Sequence, residues 1–214
     1  MGEQRSAVAV SAVAGADRRR VNLLLGAGLL VAVVAIVALG AIGSRSSSTT
    51  ATADLVAQAA LDPCPTASGG TASADLPGHA LPCLNGGSVG LASLTGTPMV
   101  INVWGSWCPP CREELPWFAA LHESAGDRLR VVGVDVMDTD VAALRTLIAV
   151  GAHYPVVVDQ DGRTRGSLGW SSGTPVTLLV SSGGVIVERI VGRAPDEATL
   201  RRLVEDDLGV QLQG

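Results

Sequence analysis

The apolar run PMVINVW, Pro98 to Trp104, leads after three residues into Cys-Pro-Pro-Cys at Cys108 to Cys111, and good helix formers follow. A short, nearly all-apolar run reads as a buried central strand. Proline suits the first helical position, where its missing N–H is not needed, so a helix is expected from Cys108 to about Ser124. Pro116 falls inside it and removes the bond to the Arg112 carbonyl, which predicts a kink one turn past the cysteines. A buried strand feeding a helix through a stiff Pro-Pro link commits the chain to an α/β architecture.

The flanking sequence agrees. Upstream, LPCLNGGSVGLASL places apolar stretches around an Asn-Gly-Gly turn, a hairpin signal. Downstream come a strand in RLRVVGVDV, a helix from about Thr139 to Val150, a strand in YPVVVD and a short helical stretch near Thr164 to Leu168. The series closes with the strands TPVTLLV and VIVERIV around the turn SSGG, then a helix in PDEATLRRLVEDDL that Pro195 and its acids open. A βαβ unit followed by a β-hairpin and a C-terminal helix predicts an α/β fold with a mixed central sheet flanked by helices.

Ahead of this domain, Val21 to Ile42 contains no charged residue. As a helix, these residues span about 33 Å, enough for the roughly 30 Å apolar core of a bilayer. Arg18, Arg19 and Arg20 abut its N-terminal end. Positive charge on that side predicts a cytoplasmic tail over residues 1–20, a transmembrane anchor over 21–42 and export of everything beyond. A cleaved signal peptide is the alternative, with the small residues Ala41 to Gly43 as its cleavage site, although the run exceeds the usual apolar length of about 7 to 15 residues. The Ser, Thr, Ala and Gly-rich stretch over residues 43–75, with one short helix-compatible piece in ADLVAQAAL, reads as a flexible linker, leaving 76–214 as the folded domain. Beyond Arg45 the chain carries 10 arginines against 18 acids, a net charge of −8. That balance argues against nucleic acid as a partner and against lying flat on anionic lipid.

A Cys-x-x-Cys at a helix start sets its first sulfur over free backbone N–H groups and the positive end of the helix dipole, which favour a thiolate. Cys108 is therefore the candidate nucleophile. Cys111, nearly one turn further on, is placed to resolve the mixed disulfide that Cys108 forms with a substrate. Such chemistry needs no cofactor. A zinc site would need a second ligand pair, but Cys64 and Cys83 are 19 positions apart and His79, His122 and His153 lack metal-ligand spacing. A purely structural Cys108–Cys111 disulfide is the bland alternative.

The segment VINVWGSWCPPCREELP resembles the active-site region of the thioredoxin superfamily, and within it the membrane-anchored, extracytoplasmic TlpA-like branch, over roughly Leu76 to Leu208. The resemblance implies a thioredoxin-like fold and protein thiol–disulfide exchange in the reductive direction, with cytochrome c maturation among the branch's roles. It makes Trp104 and Trp107 the tryptophans flanking the site and Pro116 the kinking proline. Asn102 stands where thioredoxin carries a buried aspartate. Glu114, three residues after the second cysteine, corresponds to the branch's glutamate and is a candidate proton carrier for Cys111; a solvated first-turn acid is the alternative, and the reading for Glu113. Pro175 matches the family's cis-proline, and Thr174 before it the residue that offers its backbone to an extended substrate. Substrate contact is thus expected at Trp107, Pro109, Pro110, Thr174 and Pro175.

Cys64 and Cys83 read as a structural disulfide pinning the linker to the hairpin, or as an accessory redox pair. His79 and His122 read as exposed, and His153 as a loop residue near the site. Trp170 and Tyr154 read as core, with the lining of a substrate groove as the alternative. The expected partners are exported proteins carrying dithiols or disulfides and a separate electron donor in the membrane. Two other classes stay open: a peroxiredoxin-like peroxidase, although WGSWCPPC lacks the Thr-x-x-Cys peroxide pocket, and a non-catalytic anchored binding domain.

Overall fold

Met99–Trp104 form β3, and all six residues are buried. This strand is the middle of a five-stranded sheet of order β5-β4-β3-β6-β7, with β4 Arg130–Val136, β5 Val156–Asp159, β6 Val176–Val180 and β7 Ile186–Val191. β3, β4 and β5 run parallel, while β6 and β7 run antiparallel to their neighbours, so the sheet is mixed as expected. The hairpin is reduced to β1 Leu81–Pro82 against β2 Ser88–Val89. The computed structural model describes residues 51–67 and 70–213. The expected cytoplasmic tail, the anchor over 21–42 and the first part of the linker lie outside the described residues. Among the described residues no helix is long and apolar enough to cross a membrane.

Side chains alternate across a strand, so each face of the sheet builds its own core. On one face, Val100 and Trp104 of β3 pack with helices α2 Pro109–Ala125, α3 Asp140–Val150 and α4 Glu197–Leu208. On the other, Met99, Ile101 and Val103 meet the β1–β2 hairpin, the 3-10 turn Leu91–Ser93 and the loop bearing Leu168 and Trp170. Local chemistry sets the helix ends. The Thr139 hydroxyl caps α3 at Ala142 N–H, and Gly151, in the left-handed region at φ 67°, ends it.

Four expectations need correction. Residues near Thr164 to Leu168 form turns, because the Asp159 carboxylate takes the N–H groups of Arg163 and Thr164 and holds the chain in a loop. Pro195 lies outside α4, whose cap is Asp196, accepting from Thr199 N–H. The linker reading fails over its described part: residues 51–59 are helical (α1), Ala59 and Leu61 are buried in the core, and Leu55 and Val56 pack against it. The apolar positions of that short helix find a face to bury. Beyond it, the Ser73 hydroxyl donates to the Gly184 carbonyl and Ile186 N–H donates to Asp75. His153 is a loop residue as expected, but the loop leads into β5 at the end of the parallel strands opposite the one that feeds the cysteines, and its Nδ1 is 3.1 Å from the Ala59 carbonyl.

Candidate active site

Cys108 is the N-cap of α2, with extended backbone, and Pro109 and Pro110 open the helix behind it. The cap role leaves backbone N–H groups of the first turn facing the sulfur, and Cys111 N–H lies 3.3 Å from Cys108 Sγ. The two cysteines form a disulfide, with 5.3 Å between their Cα atoms. Cys111 is fully buried and Cys108 is 3% exposed, so of the two cysteines only Cys108 keeps any contact with solvent. Trp107 beside it is 52% exposed, Pro109 is exposed and Pro110 half-buried.

The loop before Cys108 is held by the end of β4. Ser106 N–H donates to Asp138 Oδ2 at 2.6 Å, and the Trp107 indole donates to the Val136 carbonyl at 3.2 Å. Trp104 is buried opposite Asp135 in the strand register. Asp135 is itself fully buried, and burial, with Asp138 and Asp140 nearby, pushes its carboxyl up to about 9. Pro175 is buried and precedes β6, whose Val176 pairs with Val103, so it lies beside the C-terminal end of β3. The Thr174–Pro175 bond is cis.

Glu114 is fully buried on the face of α2 that also carries Cys111. One carboxylate oxygen accepts the Ala194 N–H. Burial pushes its pKa up to about 7, opposed by that hydrogen bond and by Arg193, and reinforced by Glu113. The solvated alternative for Glu114 is therefore wrong, whereas Glu113 is exposed and paired with Arg193 at 3.2 Å. Tyr154 and Trp170 are core residues, as expected; the Tyr154 phenol is pushed up by burial and by the charge of Glu114. Trp170 donates to the Thr164 hydroxyl at 3.0 Å, and Arg165 covers its ring at 4.1 Å. Asn102 is buried, as its place in the strand requires.

Cys64 and Cys83 form a second disulfide. It lies on the hairpin, where Cys83 bridges to Val157 of β5. His122 is partly covered and bonds Asp62 at 2.7 Å. His79 is half-buried, so neither histidine is the open surface residue expected. Sequence reasoning missed Asp135, Asp138, Arg193 and Ala194, because each reaches the site from another strand end or loop and carries no local motif.

A cysteine pair at a helix start, with a cis-proline just ahead of the adjoining antiparallel strand of a mixed sheet, defines the thioredoxin-like class of thiol–disulfide oxidoreductases. The family model described as Redoxin matches residues 60–205, and the chain belongs to that family. It is similar to the thiol-disulfide oxidoreductase ResA of Bacillus thuringiensis, 27% identical over 124 residues, which cover 58% of this chain and 71% of the relative. Identity to the thiol:disulfide interchange protein DsbE of Pseudomonas aeruginosa is 36% over 102 residues, 47% of this chain and 54% of that one. Among solved structures, a DsbF homologue from Corynebacterium diphtheriae superposes with a TM-score of 0.56 at 25% identity, covering 68% of this chain and 98% of its own. The protein is a thiol–disulfide oxidoreductase homologous to ResA and DsbE, within the TlpA-like branch.

Proposed function

We propose that the protein exchanges disulfides in exported polypeptides through Cys108 and Cys111, working as a reductant, with cytochrome c maturation as the setting. The observation that carries this is Cys108 at the cap of α2, its sulfur 3.3 Å from the Cys111 backbone nitrogen and its residue alone of the pair with any exposure. In the reduced enzyme the Cys108 thiolate attacks a substrate disulfide. One substrate sulfur leaves as thiolate and takes a proton, and Cys108 is joined to the other. Cys111, deprotonated with Glu114 as the proton acceptor, then attacks the Cys108 sulfur. The second substrate sulfur leaves, the Cys108–Cys111 disulfide forms, and two electrons have passed to the substrate. A dithiol donor in the membrane reduces the pair for the next cycle. Trp107, Pro109, Pro110, Thr174 and Pro175 border the substrate's path to Cys108.

The charge-free run Val21 to Ile42, with three arginines abutting its N-terminal end and Arg45 alone close behind it, supports a single-pass anchor that leaves 1–20 in the cytoplasm and the catalytic domain outside. The homologues' names as thiol-disulfide oxidoreductase and interchange protein support the activity. One experiment tests the whole reading. Full-length Cys111→Ala, recovered from carbonate-washed membranes, is expected to hold mixed disulfides with exported haem-attachment polypeptides, and Cys108→Ser none. Equal capture by Cys108→Ser would refute the nucleophile, and recovery in the soluble fraction would refute the anchor.

A further inference from the structure

The connection between β7 and α4 is four residues of loop, 192–195, before the Asp196 cap, and it touches both sides of the site. Toward α2, Ala194 N–H donates to Glu114, Arg193 Nη1 lies 3.2 Å from Glu113 Oε2, and the Arg193 guanidinium stands 5.2 Å from the centre of the Trp117 ring. Toward β6, Gly192 N–H donates to the Pro175 carbonyl at 2.9 Å. Gly192 has φ 86°, in the left-handed region that glycine tolerates, which lets the chain turn between the two attachments. Three consecutive residues thus bridge the helix that carries both cysteines and the turn that adjoins them.

We infer that Arg193 is a positioning residue for polypeptide substrates, holding loop 192–194 so that the Thr174–Pro175 turn and the start of α2 keep the separation at which an extended chain reaches Cys108. This rests on the reading of Cys108 as the attacking sulfur. The argument concerns population. An extended polypeptide lies along the Thr174–Pro175 turn and presents its sulfur to Cys108 at once, so only molecules with both walls in register bind it. Apparent affinity falls with the fraction of molecules in that state. Arg193 supplies two of the three attachments to α2. Both involve partly exposed groups, with Arg193 and Glu113 side chains 45% and 59% exposed, so their effect is modest. A small disulfide needs only the Cys108 sulfur and does not depend on the second wall.

The test compares wild type, Arg193→Gln and Arg193→Lys on two oxidants, a short peptide with one disulfide and a small aromatic disulfide. Arg193→Gln is expected to raise KM for the peptide by about three- to tenfold, the range two such exposed contacts support, and KM for the small disulfide by far less; because Arg193 also bears on Glu114, any change in kcat is shared by both oxidants. Arg193→Lys, which keeps the charge beside Glu113, is expected to recover part of the loss. An unchanged peptide KM, or an equal rise in KM for both oxidants, would overturn the inference. Glu113→Gln breaks the ion pair from the other end and serves if Arg193→Gln fails to fold. The underlying reading fails separately, through activity that survives in Cys108→Ser.

Discussion

Glu114 is a carboxyl group with no exposure, one turn beyond Cys111, and its pKa of about 7 against an ordinary 4.5 has a direct cause: burial costs the charged form more than the Ala194 N–H and Arg193 return. The sign for stability follows. Between those values the folded state keeps a proton that the unfolded state has released, so stability falls as pH rises from about 4.5 and levels off above about 7. The loss is on the order of 3 kcal/mol at most. Glu114→Gln retains an acceptor for Ala194 and removes the titration. Denaturant unfolding across this window is expected to show wild type losing stability relative to the variant, and parallel curves would mean that Glu114 ionises normally. In the reduced protein, thiol alkylation against pH is expected to shift in Glu114→Gln and to stay close to wild type in Glu113→Gln.

At the scale of elements, β4 places the site. Its end presents Val136 and Asp138 to the loop before Cys108, and its middle carries Gly133 beneath the tryptophan that ends β3. A Cβ at Gly133 would meet Val156 Cγ2 at 3.0 Å and both Trp104 Nε1 and Tyr154 Cε2 at 3.1 Å. All three neighbours belong to buried residues, so none can move freely into solvent. Gly133→Ala is therefore expected to cost about 1 to 3 kcal/mol by overpacking, read as a lower urea midpoint with an unchanged slope. An unchanged midpoint would show that Trp104 and Tyr154 yield readily. The strand itself was legible in its apolar run, whereas its grip on the active-site loop was not, because hydrogen bonds between residues 106 and 138 leave no periodic mark in the sequence.

For the molecule as a whole, the segment ahead of the hairpin is part of the folded unit. Besides the Cys64–Cys83 disulfide, Asn85 donates to the carbonyls of Leu61 and Asp62 at 3.1 and 2.9 Å, and His122 pairs with Asp62. Closing a loop of about 20 residues removes chain entropy from the unfolded state and stabilises the fold by roughly 3 kcal/mol. Cys64→Ser is expected to lower stability by about that amount, to speed hydrogen exchange at residues 51–62, and to leave disulfide exchange by Cys108 largely intact. Activity lost in a variant that melts like wild type would instead make this pair a redox relay.

Residues close in sequence determined much of this protein before any folding: the strand running into Cys-Pro-Pro-Cys, the proline-opened helix, the β–α alternation and the charge-free run ahead of it all follow from periodicity and capping, which act over a few residues. The candidate nucleophile and resolving cysteine were legible for the same reason. What tertiary structure alone decided are relations across many residues. Burial turned Glu114 from one of two adjacent acids into the one with a raised pKa, since adjacent positions on a helix face about 100° apart and only packing tells which face is inside. Packing likewise drew Ala59 and Leu61 into the core and carried Arg193 and Ala194 across the molecule to α2, because a side chain's environment is set by whatever the fold brings against it.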